Sequence, residues 1–438
     1  MRVDDLIIVS VDDHVTEPAD LFERHMPKSL LDKAPRLVAD RNGNNSWVFE
    51  DRVVQNVGLN AVVGRPPEEY GCEPMSYADM RDGVYQIDKR IDDMNVNGIL
   101  GSLCFGTFVG FDGGFLTGAK DKRIAHAVLQ AYNDWHIDGW CGRYPGRFMP
   151  MTILPLWDPK LMVEEIKRVA AKGCHAVTFP DNPTAKLKLP SIHDPYWAPV
   201  WRALVDNEVV ICTHIGTGIG APHASMDTPV EAWITTMPMS IANAAADWLY
   251  LKALQQYPTL TIVLSEGGIG WIPYFLERAD FTHKHHRAWT HFDFGGKLPS
   301  EVFREHFISC FIDDRFGIQN RNAISVDSIC YECDYPHSDS VWPKSPELLL
   351  ESLQGVSDMD INKITHLNAM RVFKYDPFSI LGRENCTVGA LRAKAQHVDV
   401  TPISKGGGRP LEQNEIRPVT SGDVVKLFQA NIGEGKAA

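Results

Sequence analysis

The chain has 438 residues, and its 56 Asp and Glu residues outnumber its 43 Lys and Arg residues, which leaves a formal net charge of −13. That balance excludes a nucleic-acid-binding groove, because a phosphate backbone requires a basic surface, and the lack of any run of about 18 apolar residues predicts no membrane span. The first six residues lack the apolar core of a secretion signal, and nine scattered cysteines are typical of reduced thiols, so we expect a cytoplasmic protein.

Apolar, β-branched runs that are typical of buried strands recur eight times in chain order. They cover residues 6–11, 98–105, 148–154, 175–179, 209–214, 260–266, 307–312 and 328–334. Helical stretches lie between most of them, and residues 158–172, for example, begin with Asp-Pro and end before Gly173. Parallel strands that are buried on both faces have such continuous apolar sequences. Eight strand and helix units predict a (β/α)8 TIM barrel of the α/β class over residues 1–385, rather than an open doubly wound sheet.

Two segments are additional to the strands and helices of a minimal barrel. Residues 35–85, between the first strand and the first clear barrel helix, contain the runs 46–49 and 52–54, which predict a β-hairpin. We expect this insertion to lie over the C-terminal face of the barrel. Residues 386–438 are rich in Gly, Pro and basic residues. They are predicted to form an extended arm, packed on its own barrel or on a partner subunit.

Polar side chains end several of the predicted strands. The first strand ends with Asp12 and His14, the fifth with His214, the sixth with Glu266 and the eighth with Asp334. Because barrel active sites lie at the C-terminal ends of the strands, we expect these five side chains to converge. Nitrogen and oxygen donors without thiolate suit Zn²⁺, Mn²⁺ or Fe²⁺, and clustered buried carboxylates require a cation. The sequence therefore predicts a metal centre.

Three segments resemble the motifs of the amidohydrolase-2 family, which includes several decarboxylases. Residues 12–18 (Asp-Asp-His-Val-Thr-Glu-Pro) resemble its opening motif, His214 matches its strand-five metal ligand, and residues 333–337 (Cys-Asp-Tyr-Pro-His) resemble its strand-eight motif, whose Asp binds metal. The resemblance covers about residues 5–375. It implies a metal-dependent TIM barrel, usually a dimer or a higher oligomer, that acts on a small molecule.

The main departure from the family pattern is on the sixth strand. Decarboxylases of the family carry an acid/base His there, whereas this chain has Glu266, followed by two glycines. A Glu side chain can bridge two metal ions. On this ground the sequence is similar to the branch that contains the nonheme diiron monooxygenase of platensimycin and platencin biosynthesis. The prediction is a diiron monooxygenase with two Fe ions, O₂ and an electron donor, which hydroxylates a bulky hydrophobic, CoA-linked or carboxylate-bearing substrate.

In this prediction Glu266, Asp334 and His337 are catalytic. His283 and His286, spaced i, i+3 on a predicted helix, are further metal ligands, although a solvated, His-rich helix end has the same pattern. His337 can instead orient Asp334. The alternative function is a mononuclear Zn²⁺ or Mn²⁺ hydrolase or decarboxylase, with Asp334 or Glu266 as general base. A non-catalytic binding barrel would not need so many ligand-type residues at its strand ends.

Four residues are predicted to bind substrate. Arg65, Arg278 and Arg287 suit the recognition of a carboxylate or a CoA phosphate, although each residue type is also typical of surface ion pairs. Trp342, with aromatic residues such as Phe111, is predicted to line an apolar pocket at the barrel mouth. Core packing would produce the same aromatic composition.

Overall fold

A barrel of eight parallel strands forms the centre of the structure, a computed structural model that describes residues 1–412 and 414–433. The strands are β1 (Val9–Val15), β2 (Arg36–Ala39), β3 (Asn45–Phe49), β4 (Arg52–Val54), β5 (Gly101–Gly106), β6 (Phe148–Met149), β7 (Ala176–Phe179), β8 (Val210–His214), β9 (Ile262–Ser265), β10 (Phe307–Phe311) and β11 (Ile329–Tyr331). The hydrogen-bonded order of the barrel is β6-β5-β1-β11-β10-β9-β8-β7, and the other three strands form a separate sheet. A parallel bridge between Thr152, which follows β6, and Val177 of β7 joins the two ends of the barrel sheet. The predicted TIM barrel is therefore confirmed.

Alternate residues of the barrel strands enter different hydrophobic clusters. In β9, Val263 belongs to one cluster, whereas its neighbours Ile262 and Leu264 belong to the other. This alternation follows from the period of two along a strand, which sends successive side chains to opposite faces. Both faces of the barrel strands are buried, which explains why their sequences are continuously apolar.

Helices surround the barrel and begin where the sequence supplies capping groups. Asp158, for example, accepts hydrogen bonds from the backbone N–H groups of Lys160 and Leu161, so the helix starts at Pro159. The α-helices are α1 (Leu21–His25), α2 (Ile87–Asn97), α3 (Gly114–Thr117), α4 (Lys122–Asp134), α5 (Pro159–Ala170), α6 (Ala198–Asp206), α7 (Val230–Thr236), α8 (Ile241–Leu249), α9 (Ala253–Gln256), α10 (Ile272–Thr290), α11 (Pro299–His306), α12 (Arg315–Gln319), α13 (Arg321–Ile324), α14 (Ser345–Ser352), α15 (Asp358–Asn362), α16 (Asn368–Val372), α17 (Phe378–Leu381), α18 (Val388–Ala393) and α19 (Ser421–Gly433). Within the described residues, no helix combines the length and the apolar character that a membrane crossing requires.

The insertion after the first strand contains an antiparallel sheet of β2, β3 and β4. The predicted hairpin corresponds to β3 and β4. The following segment contacts the loop after the eighth barrel strand, because Val63 N–H donates to the carbonyl of Pro336 (3.0 Å) and the Asn60 amide donates to Ser338 Oγ (2.9 Å). The insertion is therefore attached to the C-terminal end of β11.

The C-terminal segment connects two distant parts of the barrel surface. Its residues 403–408 bond to the insertion, with Ile403 N–H donating to Gly64 (2.9 Å) and Gly408 N–H donating to Glu73 (2.7 Å). Further along, Ser421 N–H donates to the carbonyl of Thr228, in the segment that follows β8 (2.9 Å). The segment then forms α19, a helix that the sequence pattern does not predict.

Candidate metal centre

The first strand supplies two of the predicted ligands. The pairing of β1 with β5 is irregular between Ser10 and Asp13. Asp13 accepts hydrogen bonds from the hydroxyl of Ser102 and from the backbone N–H of Tyr335 (3.0 Å). Asp12 and His14, on either side of it, are buried and reach the polar cluster at the barrel mouth. The alternation of side chains along the strand therefore separates Asp13 from its two neighbours.

The five predicted strand-end residues come together in space. His14 Nε2 lies 3.2 Å from Asp334 Oδ1 and 3.6 Å from Asp12 Oδ1. On the other side of Asp12, His214 Nε2 lies 3.6 Å from Asp12 Oδ2 and 3.1 Å from Glu266 Oε2. Asp12 thus lies between the two imidazoles, and the cluster joins strands from opposite sides of the barrel.

Most donor atoms of this cluster lack hydrogen-bond partners among the described residues. These unpartnered buried atoms are both carboxylate oxygens of Asp12, both of Asp334, both ring nitrogens of His14, and His214 Nε2. Buried polar atoms are almost always hydrogen-bonded, so a group of unpartnered oxygens and nitrogens that face one another requires an explanation. A divalent cation bound by one nitrogen of each imidazole and by the carboxylate oxygens would satisfy most of these atoms, and this donor set fits Zn²⁺ or Mn²⁺.

Burial is the largest influence on the pKa values of the side chains in this cluster. Burial, followed by repulsion from Glu332, Glu266 and Asp334, raises the pKa of Asp12 well above its usual range. Burial and the neighbouring Asp334 likewise raise the pKa of Glu266. Burial lowers the pKa of His214 to about 4, so its imidazole is neutral and able to bind metal. Although burial opposes it, contact with His337 and His14 holds the pKa of Asp334 well below its usual range.

His337 joins the cluster from the loop that follows the eighth barrel strand. Its Nδ1 atom lies 3.0 Å from Asp334 Oδ1, and its ring stacks on His14 with the centroids 3.8 Å apart. Ligand atoms of His14, Asp334 and His337 lie within 4.8 Å of one another, as do those of Asp12, His14 and His214. Glu266 and His337 are the most exposed members of the cluster, at 9% and 7%. The open side of the cluster is therefore next to these two residues.

Two residues at the site were not predicted from the sequence. Glu332 and Cys310 are buried, and their side chains meet Asp12 in a third group of potential ligands. The signal available in the sequence is a charged residue inside the apolar eighth strand, two positions before Asp334.

Two predicted ligands, His283 and His286, lie elsewhere in the molecule. Both are on α10, where His283 packs edge-on against Phe294 (5.0 Å between centroids) and His286 Nδ1 accepts a hydrogen bond from the indole of Trp289 (3.1 Å). None of the three potential ligand groups found in the described residues includes either histidine. The structure therefore does not bring them to the centre.

The four predicted substrate-binding residues have other contacts. The buried guanidinium of Arg65 donates to the carbonyls of Cys72, Asp79 and Gly406, which joins the insertion to the C-terminal segment. Arg278 lies over Phe281 on the exposed side of α10, and Arg287 is also exposed on that helix. Trp342 donates its indole N–H to the carbonyl of Asp93 (3.1 Å). The structure instead places the ring of Phe111 at the centre, 4.6 Å from His14 and 4.3 Å from His214.

Comparison with known proteins identifies relatives with the same architecture. A model of the amidohydrolase family matches residues 36–375. The chain is 24% identical over 281 residues to the gamma-resorcylate decarboxylase of Rhizobium sp. (strain MTP-10005), and the alignment covers 58% of this chain and 79% of that enzyme.

Solved structures show the same fold. An amidohydrolase from Mycobacterium avium subsp. paratuberculosis K-10 is 21% identical, with a TM-score of 0.64 over 84% of this chain and 99% of that chain. The 5-carboxyvanillate decarboxylase of Novosphingobium aromaticivorans DSM 12444, complexed with manganese and 4-hydroxy-3-methoxy-5-nitrobenzoic acid, is 17% identical, with a TM-score of 0.57 over 85% and 99% of the two chains.

These relatives overturn the prediction of a diiron monooxygenase, which is wrong. Two of the three relatives described above are decarboxylases, and the metal in the solved complex is manganese rather than a pair of iron ions. The structure supplies a physical reason, because His283 and His286, the additional ligands of the predicted diiron site, pack against Phe294 and Trp289 on α10. The associated O₂, electron donor and CoA-linked substrate have no support.

The match to the family model extends over most of the chain and includes the barrel strands from β5 to β11. The barrel and the convergent strand-end residues agree with that match. The chain therefore belongs to the amidohydrolase family and is a metal-dependent TIM-barrel enzyme.

Proposed function

We propose that the protein is a decarboxylase that removes a carboxyl group from a small aromatic acid with one divalent metal ion, Mn²⁺ or Zn²⁺. The observation that carries this proposal is the set of buried, unpartnered donor atoms that face one another at the barrel mouth. The decarboxylases of gamma-resorcylate and 5-carboxyvanillate among the relatives support the reaction class.

Asp12, His14, His214 and Asp334 would hold the ion. These four residues carry the facing oxygen and nitrogen atoms that lack hydrogen-bond partners in the part of the chain that the structure describes, and the low pKa of His214, about 4, keeps its imidazole neutral. When bound, a divalent ion supplies positive charge that orients and polarises an oxygen-bearing substrate and neutralises the buried carboxylates. His337 holds Asp334 in place through the contact of its Nδ1 atom with Asp334 Oδ1 (3.0 Å).

Glu266 is the proton donor in this proposal. Burial, followed by repulsion from Asp334, raises the pKa of its carboxyl group, which favours the protonated form, and the side chain lies on the open side of the cluster. The ring carbon gains this proton as its bond to the carboxylate breaks and CO₂ leaves. Glu266 then regains a proton from solvent, so the net reaction consumes one proton for each CO₂ released.

Phe111 favours a planar substrate. Its ring lies within 4.6 Å of His14 and 4.3 Å of His214, and its carbonyl accepts a hydrogen bond from the hydroxyl of Thr178, which fixes the loop. Aromatic rings prefer offset-stacked or edge-on contacts with other rings. An aromatic acid bound at the centre would therefore pack against Phe111.

The test is the release of CO₂ by the Mn²⁺-loaded and Zn²⁺-loaded enzyme from hydroxybenzoates such as gamma-resorcylate and 5-carboxyvanillate. We expect turnover without O₂. Replacing the proton donor by Glu266→Gln should lower kcat by about 100-fold or more, the usual range for loss of a general acid.

His286→Ala is the matched control, because His286 contacts Trp289 on α10 rather than the cluster. This variant should retain the parent kcat. Hydrolysis of esters or amides without CO₂ release from any benzoate would contradict decarboxylation, and full activity of Glu266→Gln would exclude Glu266 as the proton donor.

A further inference from the structure

An additional carboxyl group lies beside the metal centre and has no role in the proposed reaction. Glu332 directly follows β11 and is only 1% exposed. Ligand atoms of Glu332, Cys310 and Asp12 lie within 4.8 Å of one another. Burying a carboxyl group is costly unless its oxygens have partners, so its hydrogen bonds indicate what it does.

A hydrogen bond to Glu332 holds the backbone of Glu266. Its Oε2 atom accepts the backbone N–H of Glu266 at 3.0 Å and also accepts the thiol of Cys310. Glu266 has a φ of 56°, in the left-handed region that non-glycine residues rarely adopt. Such a conformation persists only where surrounding contacts impose it.

The rest of this turn has separate anchors. Asp314 accepts the backbone N–H groups of Ile269 (2.8 Å) and Gly270 (2.5 Å). At Gly267, an added Cβ would lie 2.3 Å from Ile241, so the backbone is tightly packed there. Glu332 therefore fixes the beginning of the turn, and Asp314 fixes its end.

The left-handed backbone determines where the Glu266 side chain points. In this conformation Glu266 Oε2 lies 3.1 Å from His214 Nε2, at the edge of the metal centre. If the N–H of Glu266 lost its acceptor, the residue could return to an extended conformation, which would redirect the carboxyl group.

We propose that Glu332 is a positioning residue, whose carboxyl oxygen holds the left-handed backbone of Glu266 and thereby fixes the Glu266 carboxyl group beside His214. The hydrogen bond between Glu332 and Glu266 is independent of the reaction that the enzyme catalyses, but its effect on catalysis rests on the proposed function. Residues that orient groups at metal sites typically change affinity or activity by about 10- to 100-fold when replaced.

The test compares Glu332→Gln, which retains an oxygen acceptor of the same reach, with Glu332→Leu, which removes it. We expect Glu332→Leu to lower kcat by about 10- to 100-fold with little change in KM, and Glu332→Gln to restore most of that loss. Amide hydrogen exchange of the metal-free protein should become faster in residues 262–270 of the Leu variant and remain close to the parent in the Gln variant. The visible spectrum of the Co²⁺-loaded protein should change in the Leu variant alone.

Glu165→Gln is the control for replacing a buried Glu. Glu165 is also 1% exposed, but it lies on α5 and accepts hydrogen bonds from Asn133 (2.7 Å) and Arg168 (2.8 Å). Its replacement should leave the spectrum and the exchange of residues 262–270 unchanged. If Glu332→Leu does not fold, Glu332→Ser replaces it, since the shorter side chain also cannot reach the N–H of Glu266.

Unchanged kcat, exchange and spectrum in the variant that lacks the acceptor would overturn the proposal. These readouts also separate it from the proposed function. If the parent releases no CO₂ from any benzoate, the exchange and the Co²⁺ spectrum still decide whether Glu332 positions Glu266. If the parent is an active decarboxylase and the variants match it, the positioning role is wrong and the function stands.

Discussion

Binding of a divalent ion should stabilise this protein measurably. Asp12, Glu266 and Asp334 are buried together, and most of their facing oxygens have no hydrogen-bond partner among the described residues. A cation that binds only the folded state adds about 2.7 kcal/mol of stability at 100 times its Kd. For 438 residues the unfolding entropy is about 0.9 kcal/mol per degree. The expected increase in Tm is therefore about 3 °C.

Differential scanning calorimetry of chelator-treated protein, with and without Mn²⁺ or Zn²⁺, measures this shift. His214→Ala should remove most of it, because His214 Nε2 is one of the unpartnered donors. A parent protein with no shift for either ion, or an equal shift in the variant, would refute the assignment of the centre.

The same experiment has a predicted pH dependence. Burial raises the pKa of Asp12, so the metal-free protein holds a proton there that the ion must displace. A raised pKa in the folded state also means that the metal-free protein loses stability as pH rises above the ordinary carboxyl pKa. The metal-induced increase in Tm should therefore be larger at pH 8 than at pH 6, and the opposite trend would contradict this protonation state.

Two further predictions concern the surroundings of the centre. Phe111→Ala removes a ring contact worth about 1 kcal/mol, so KM for an active benzoate should rise about fivefold with a smaller change in kcat. Steady-state kinetics measures both constants, and an unchanged KM would exclude the stacking role. Glu69→Ala removes the acceptor for the N–H groups of Lys405 (3.1 Å) and Gly406 (3.2 Å), so amide exchange of residues 403–408 should accelerate. Although burial opposes it, hydrogen bonds from Ser404, Lys405 and Gly406 hold the pKa of Glu69 below its usual value. The contact should therefore be complete above about pH 4.5 and be lost on acidification, and exchange that does not change with the variant or with pH would contradict it.

The C-terminal segment is a feature that a minimal TIM barrel does not have. It bonds to the insertion through Gly64 and Glu73, and to the segment after β8 through Thr228. The two solved chains described above are each covered to 99%, whereas 84% and 85% of this chain is covered in these comparisons. Part of this chain therefore has no counterpart in those structures.

Local sequence patterns were sufficient to predict the barrel and to predict that five polar residues meet at one end of it. Each buried strand is a continuous apolar run, and a parallel barrel places all strand ends on one face. Asp12, His14, His214, Glu266 and Asp334 could therefore be grouped without knowing any distance. The identity of Glu266 alone was a poor guide to function, because one carboxyl group suits both metal bridging and proton transfer.

Other assignments depended on tertiary contacts that have no local pattern. His283 and His286 have the spacing of a metal site, but α10 places them against Phe294 and next to Trp289. Arg65 has the chemistry of an anion ligand, but backbone carbonyls distant in sequence, up to Gly406, accept its hydrogen bonds.

By itself, the sequence determined the barrel and the polar residues that end its strands, since both follow from the pattern of single segments. Only the tertiary structure decided that Glu332 reaches the backbone of Glu266 and that Phe111, rather than Trp342, packs on the imidazoles. These contacts join separate segments, and their geometry depends on how the strands and loops pack together rather than on any local propensity.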